Sequence, residues 1–442
     1  MKNCYTARFD LKSEDIHRLS ACQPDPLLGL SKLNADEAVK HLHRAHEALF
    51  VPTQQTTALL ESFLASARAH SKLWYCDQKV VGVHMMRNTR PEVAYLPMCL
   101  TGLAGVGKTT LFDALFRILQ TQVLGDAGGA VNPFALQAAV RVKLRRHVSN
   151  TEFLKAFIDQ IGPGRLKCPF PAEELAHKLF IYAVCLAITD ELQFLTGSAG
   201  ASVRAVQILL MLSSLQVPQI FAANYSMCRR LMGRPQEERD RIFSGVFLLR
   251  PELPETEDWI KTVEGYVNLL PEEFAGLKVE DLASTMYPLT FGLKRQLAHL
   301  IELAYLAMRQ DRSVRMTLAH IDKAYRSRSY SEARDDVHLL LQQSVTGSDI
   351  PMDLTCPFHE VEDKKAQKAA SAQQPAFAHV VARAMVEGRN RQAPGAPKST
   401  PRPRASSARS KEPNGNVVSM KESLEEKLEA SMAVLRNGLK LT

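Results

Sequence analysis

Between residues 95 and 250 one texture repeats: apolar runs of strand length, "YLPMCLT", "AAVRVKL", "YAVCLAIT", "VPQIFAAN" and "GVFLLR", with helical periodicity between them. A strand covered on both faces is apolar throughout, and strands that alternate with helices do not meet as hairpins. The pattern therefore predicts a parallel sheet of five strands with helices on both sides. Residues 91–255 are expected to form this α/β core. At 442 residues and 45% apolar content, the chain has material for a second domain and for extensions.

The first apolar run passes directly into "TGLAGVGKTTLFDALFRIL", residues 101–119. This fits the spacing G-x-x-x-x-G-K-S/T with Gly102, Gly107, Lys108 and Thr109, between a strand and a helix. Gly102, Gly105 and Gly107 let the backbone wrap phosphates, and the amides at the helix start, through Thr110, face the anion. Lys108 is expected to reach the β- and γ-phosphates, and the Thr109 hydroxyl to coordinate Mg2+. The turn predicts a site for a nucleoside triphosphate, ATP. Hydrolysis needs an acidic partner, and "LAITDELQF" supplies one in Asp190 and Glu191 at a strand end. Asp190 would hold the metal and Glu191 would activate the attacking water.

Three further positions are candidates for the same chemistry. Asn224 ends the run "VPQIFAAN", where it is either a γ-phosphate sensor or a turn former. Arg295, in "GLKRQLAHLIELA", is placed either to reach the nucleotide across a domain cleft or to serve as surface charge. Arg241, with Arg239 and Arg234 as alternatives, lies just before the fifth run, where an arginine can act on a neighbouring subunit's phosphoryl group.

After Arg250 the pattern is helical only, with helices expected near 256–269, 279–286, 293–309 and 318–329, the last capped by Thr317. Residues 256–345 thus read as a small helical lid. Residues 346–418 read as a disordered linker: between Arg383 and Lys411 eight basic side chains stand against Glu387, a net +7 of the chain's total of +8. Such a segment is either a solubilising linker or a nonspecific tether to nucleic acid. Residues 419–442 read as an amphipathic helix, with a Ser419–Glu422 capping box and a stripe of Leu424, Leu428, Met432 and Leu435, suited to docking on a partner. The first 90 residues form an N-terminal extension, with one helix carrying Ala38, Leu42, Ala45 and Leu49 on a face, a second near 57–69, and a hairpin around Asp77 and Gln78. His41, His43 and His46 read as solvated helix positions. The eight cysteines form no C-x-x-C pair, so neither a metal site nor disulfides are expected. The longest apolar stretch, 179–188, is too short to span a bilayer and no secretory leader is seen, so the expected location is cytoplasmic, with no membrane partner.

Taken in order, "GLAGVGKTT", "AITDELQFL", "VPQIFAAN", "RDRIF", "GLKRQLAHLIELAYLAMRQ" and "MTLAHIDKAYRSRS" resemble the TnsC and TniB family of AAA+ transposition regulators. The likeness spans about residues 95–345. It departs at "ANYS", where family members often carry Gly-Thr-Pro. The resemblance implies an AAA+ P-loop NTPase that assembles with ATP as rings or helical filaments on double-stranded DNA. It further implies a link between a target selector of the TniQ or TnsD type and a transposase of the TnsB or TniA type. Lys143, Arg145 and Arg146, in "RVKLRRHVSN", are candidates for sequence-independent phosphate contacts, or else a solvated helix face. Two other functions remain open: a replication initiator or helicase loader, and a nucleotide-binding scaffold without turnover. The intact Lys108, Thr109, Asp190 and Glu191 set weighs against the scaffold.

Overall fold

The computed structural model describes residues 6, 8–75, 95–119, 123–125, 134–144, 149–162, 170–192 and 201–358. All of them belong to one compact unit, Met1–Arg389; the second unit, Asn390–Thr442, lies outside the described residues. So do Arg145, Arg146, and the basic linker and amphipathic helix expected beyond residue 358.

Among the described residues, three α-helices precede the sheet: α1 (Ser13–Ser20), α2 (Ala35–Ala48) and α3 (Gln54–Tyr75). Asn34 caps α2 by accepting the Glu37 N–H at 2.8 Å, and Ala38, Leu42 and Ala45 form its buried face with Leu49 at the end. α3 runs past Ala69 to Tyr75, so the first arm of the expected hairpin, from Lys72, is helical instead. Leu60, Phe63, Leu64, Ala67, Ser71 and Tyr75 are all buried and recur at helical steps. Continuing the helix keeps Tyr75 in the core, where a strand would turn alternate residues outward. The rest of that hairpin lies outside the described residues.

β1 (Met98–Thr101) leads into α4 (Lys108–Leu119), followed by a short antiparallel pair, β2 (Val123–Gly125) and β3 (Phe134–Leu136), that apolar periodicity does not foretell. Then come β4 (Ala139–Lys143), α5 (Asn150–Ile158), α6 (Pro171–Ile181), β5 (Leu186–Asp190), α7 (Ala201–Ser213), β6 (Gln219–Ala223), α8 (Tyr225–Met232), α9 (Gln236–Ile242) and β7 (Gly245–Leu248). The five expected strands all form and pair in parallel in the order β4-β5-β6-β1-β7. From β1 the chain crosses to the far edge, returns through β5 and β6, and finishes on the other side of β1. Crossovers therefore leave β1 in opposite directions, which opens a crevice at the carboxyl ends of the strands. This strand order, with a glycine turn after β1, is that of a P-loop α/β nucleotide-binding fold.

Alternation within the strands divides the core. Leu100, Ile188, Ile220 and Ala222 face α3 and α4, while Cys99, Ala187, Phe221 and Ala223 face the layer built from α5 to α8. Beyond β7 lie α10 (Glu257–Val267), α11 (Val279–Thr290), α12 (Lys294–Gln310), α13 (Leu318–Tyr325) and an additional helix, α14 (Ser331–Thr346). Their core of Trp259, Tyr287, Leu297, Tyr305 and Ile321 also takes in Ala38 and Leu42 of α2. The N-terminal extension thus packs on both the sheet and the helical region. His46 is buried rather than solvated, and the Nδ1 atoms of His43 and His46 each lie 3.0 Å from Glu302 Oε1 on α12.

Order continues beyond Asp349, where disorder is expected from composition. Residues 350–358 fold back on the core: Arg229 of α8 donates to the carbonyls of Met352 (2.9 Å) and Thr355 (3.0 Å), and Phe358 meets the Phe243 ring edge-on at 5.1 Å. A segment without periodicity is held here by backbone carbonyls that find a guanidinium, a tertiary effect. Among the described residues no helix is long and apolar enough to cross a membrane.

Candidate functional site

The turn between β1 and α4 sits at the crevice. A Cβ at Gly102 would collide with the Leu249 carbonyl, so the loop passes closer to the chain after β7 than any side chain permits. Gly105 has φ +81°, and a Cβ at this position would fall 2.7 Å from Arg295 Cβ. Lys108 opens α4 with its side chain folded over the turn, Nζ donating to the carbonyls of Gly102 and Leu103, both at 2.9 Å. Burial lowers its pKa to about 8; Glu191 pulls the other way and Arg295 adds to the lowering. A desolvated ammonium resting on its own loop's carbonyls is poised for an anion. The Thr110 hydroxyl donates to the Gly107 carbonyl at 2.9 Å, closing the first turn of the helix.

Across the crevice, β5 ends in Asp190 and Glu191. Asp190 is 1% exposed. Its Oδ1 accepts the Glu191 N–H at 2.9 Å, and its Oδ2 is bound by Arg141 of β4. Glu191 has φ +61°, a left-handed conformation that costs a non-glycine residue about 1 kcal/mol and that recurs at functional sites. The turn it makes brings its carboxylate to Thr109, whose hydroxyl donates to Glu191 Oε1 at 3.4 Å. The glycine turn and the acidic strand end, 82 residues apart in sequence, therefore form one constellation.

The structure treats the remaining candidates differently. Asn224 is the N-cap of α8: its Oδ1 accepts from Met227 N and from the Ser226 hydroxyl, both at 3.0 Å. With the oxygen committed to the cap, only its amide NH2 remains for a phosphate oxygen. Asn224 also lines a cavity of about 140 Å³ with Leu103, Ala104, Gln296, Asp336 and Asp353. Arg295 seats α12 on the turn through its backbone, donating N–H to the Gly105 carbonyl at 3.1 Å, while its side chain is exposed. Beside it Lys294 pairs with the buried Glu252 at 3.4 Å. Arg239 and Arg241 project from α9 and are exposed, and Arg234 is tied to Glu238 at 2.8 Å. None of these three is joined to the turn within the chain by a contact among the described residues. Lys143 is exposed and lies 3.9 Å from Asp113. Among the described residues no group of three metal-ligating side chains is assembled in advance.

Arg141 is the residue that strand and motif reading misses. Its Nη1 donates to Asp113 Oδ1 of α4 at 2.5 Å, its Nη2 reaches Asp190 and, at 3.3 Å, the Thr109 carbonyl, and the guanidinium lies over the Phe112 ring at 5.3 Å. A charge inside the apolar run "AAVRVKL" is the signal that points to it, since an ionised group enters a sheet core only with partners.

The residues present fit a magnesium–nucleotide complex: a glycine cradle with no room for a Cβ, a buried ammonium, and a hydroxyl facing paired carboxylates. No protein-family model matches the chain, and no curated protein matches it by sequence. Among solved structures, the chain is similar to the Aeropyrum pernix ORC2 protein in its ADPNP–ADP complexes, with TM-score 0.40 and 12% identity over 71% of this chain and 94% of that one. The ADP form of the same protein gives TM-score 0.40 and 12% identity over 67% and 84%. The Aeropyrum pernix ORC1 protein in complex with DNA gives TM-score 0.37 and 16% identity over 61% and 66%. The fold assignment rests on strand order and on the turn after β1, not on these likenesses.

Proposed function

We propose that this chain is an ATP-dependent, DNA-binding regulator of transposition of the TnsC and TniB type. It would assemble on double-stranded DNA as a ring or filament and link a TniQ- or TnsD-like target selector to a TnsB- or TniA-like transposase. The observation that carries the ATPase part is the meeting of Lys108 and Thr109 with Asp190 and Glu191 at the carboxyl ends of β1 and β5. The transposition part rests on the motif order and on the "DELQFL" box.

In this reading the amides from Gly105 to Thr110 receive the β- and γ-phosphates, and Lys108 exchanges its two loop carbonyls for phosphate oxygens. Thr109 and Asp190 hold Mg2+, which when bound neutralises charge on the phosphate oxygens. Glu191 accepts a proton from water as the water oxygen bonds to the γ-phosphorus and the bridging oxygen leaves with ADP. Asn224 reports the γ-phosphate through its free amide. Arg295 reports lid closure through the contact of α12 with Gly105. Arg241, exposed on α9, completes a neighbouring copy's site, which couples turnover to assembly. Lys143, Arg145 and Arg146 contact DNA phosphates without base selection.

Imaging the purified chain with a short duplex, with and without a slowly hydrolysed ATP analogue, tests the proposal. Assemblies on DNA that require the analogue and dissolve as salt rises are expected. A monomer indifferent to DNA in either nucleotide state would overturn it.

A further inference from the structure

Asp190 carries a second role for a residue outside the motifs. Along β4 the side chains alternate: Val140 and Val142 are buried toward one layer, while Arg141 and Lys143 point to the side of α4. Register sets Lys143 opposite Asp190 and Arg141 opposite Ile188, yet the longer reach of the buried arginine, 8% exposed, brings it back to Asp190. Arg141 thereby bridges two carboxylates of unequal burial. Asp190 is 2% exposed in its side chain and Asp113 is 42% exposed. Both oxygens of Asp190 already hold a donor, the Glu191 N–H on Oδ1 and Arg141 on Oδ2. Arg141 Nε is buried with no partner among the described residues, so the guanidinium is not fixed by a full set of bonds.

A metal ion or its bound water approaches Asp190 at a cost while the guanidinium covers Oδ2, because two cations compete for one carboxylate. A buried carboxylate stripped of its counter-charge is, in turn, costly. We infer that Arg141 is a positioning residue that neutralises and orients Asp190 in the metal-free protein. It yields Oδ2 when magnesium arrives with nucleotide, keeping its bond to the half-exposed Asp113. This rests on the nucleotide-site reading above. Arg141 then sets how much magnesium the site requires: the pair with Asp190 is a cost that metal binding must meet, and Asp113 offsets part of it by holding the displaced guanidinium.

The test measures binding of a fluorescent, slowly hydrolysed ATP analogue against magnesium concentration for the full chain, Arg141→Gln, Arg141→Lys and Asp113→Asn. Removing the arginine charge should lower the half-saturating magnesium concentration, about tenfold on the scale of other metal-site neighbours. Asp113→Asn should raise it several-fold, because Arg141 loses the carboxylate that holds it once Asp190 is given up. Arg141→Lys, which keeps the charge without the fork, should fall between Arg141→Gln and the unmodified chain. A merely structural role predicts no such opposite shifts. Half-points that coincide in folded Arg141→Gln, Asp113→Asn and the parent chain overturn the inference while leaving the nucleotide site intact. Should Arg141→Gln fail to fold, an unmoved half-point in Asp113→Asn, whose side chain is half-exposed, is enough to overturn it. If the parent chain binds no analogue at any magnesium concentration, the nucleotide-site reading itself falls, and this inference with it.

Discussion

The crevice at the carboxyl ends of the strands and the His70 pocket at their amino ends bury ionisable groups in opposite ways. At the carboxyl ends of the strands, charge is kept and paired: Lys108 with its loop carbonyls, Asp190 with Arg141, and Arg141 again with Asp113. At the amino ends, His70 packs among Trp74, Tyr75 and Tyr95, shares a hydrogen bond with the Tyr95 hydroxyl at 2.9 Å, and is driven by burial to a pKa of about 3. Stability alone favours the second arrangement, since apolar or neutral packing does at least as well as a buried ion pair. Paired charges of both signs gathered in one crevice mark where a ligand's charge is to be met.

Three experiments press on that contrast. The largest effect is expected from Glu191→Gln, which should cut phosphate release by about a thousandfold while leaving affinity for the ATP analogue within about threefold. Normal turnover in this variant would reduce Asp190 and Glu191 to an ordinary strand end and erase the difference between the two ends. Next, Arg241→Ala should lower turnover by about a hundredfold without weakening nucleotide binding. Mixing it with Glu191→Gln should restore part of the activity, because each copy supplies what the other lacks. Absence of recovery would mean that Arg241 does not act across a subunit boundary.

The smallest effect belongs to the amino end. The folded-state pKa of His70, about 3, lies below its ordinary value of 6.5. Between those two values the unfolded chain binds a proton that the folded chain refuses, so stability falls as pH drops from 6.5 toward 3. One such group contributes a slope of at most about 1.4 kcal/mol per pH unit. Denaturant unfolding of His70→Phe across this window should show a shallower acid loss than the parent. Equal slopes would mean that His70 is not held neutral.

Much of the carboxyl end was legible in the chain itself, because its chemistry fixes residue types at fixed spacing: Gly102 to Thr110 lie in one turn, and Asp190 and Glu191 follow one apolar run. The five strands were legible too, since burial leaves them as mostly apolar runs, with Arg141 in β4 the charged exception. What resisted reading depends on partners distant in sequence. Arg141 gains its meaning from Asp113 and Asp190, 28 and 49 residues away. The order of residues 350–358 depends on Arg229, and the extension of α3 on a core that Tyr75 completes. Asn224 shows a different limit: as a cap it would be chosen by α8 whatever the ligand, so its residue type alone does not separate the two roles. Nor does spacing rank Arg234, Arg239 and Arg241. The ion pair of Arg234 with Glu238 sets that residue apart, while Arg239 and Arg241 are both exposed.

The central claim is that the turn after β1 holds a nucleoside triphosphate. Equilibrium titration of the full chain with a slowly hydrolysed ATP analogue and magnesium, beside Lys108→Ala, addresses this directly. One site per chain, with affinity reduced at least about a hundredfold in the variant, is the predicted result. A parent chain that takes up no nucleotide, or a variant that binds as tightly as the parent, would contradict it.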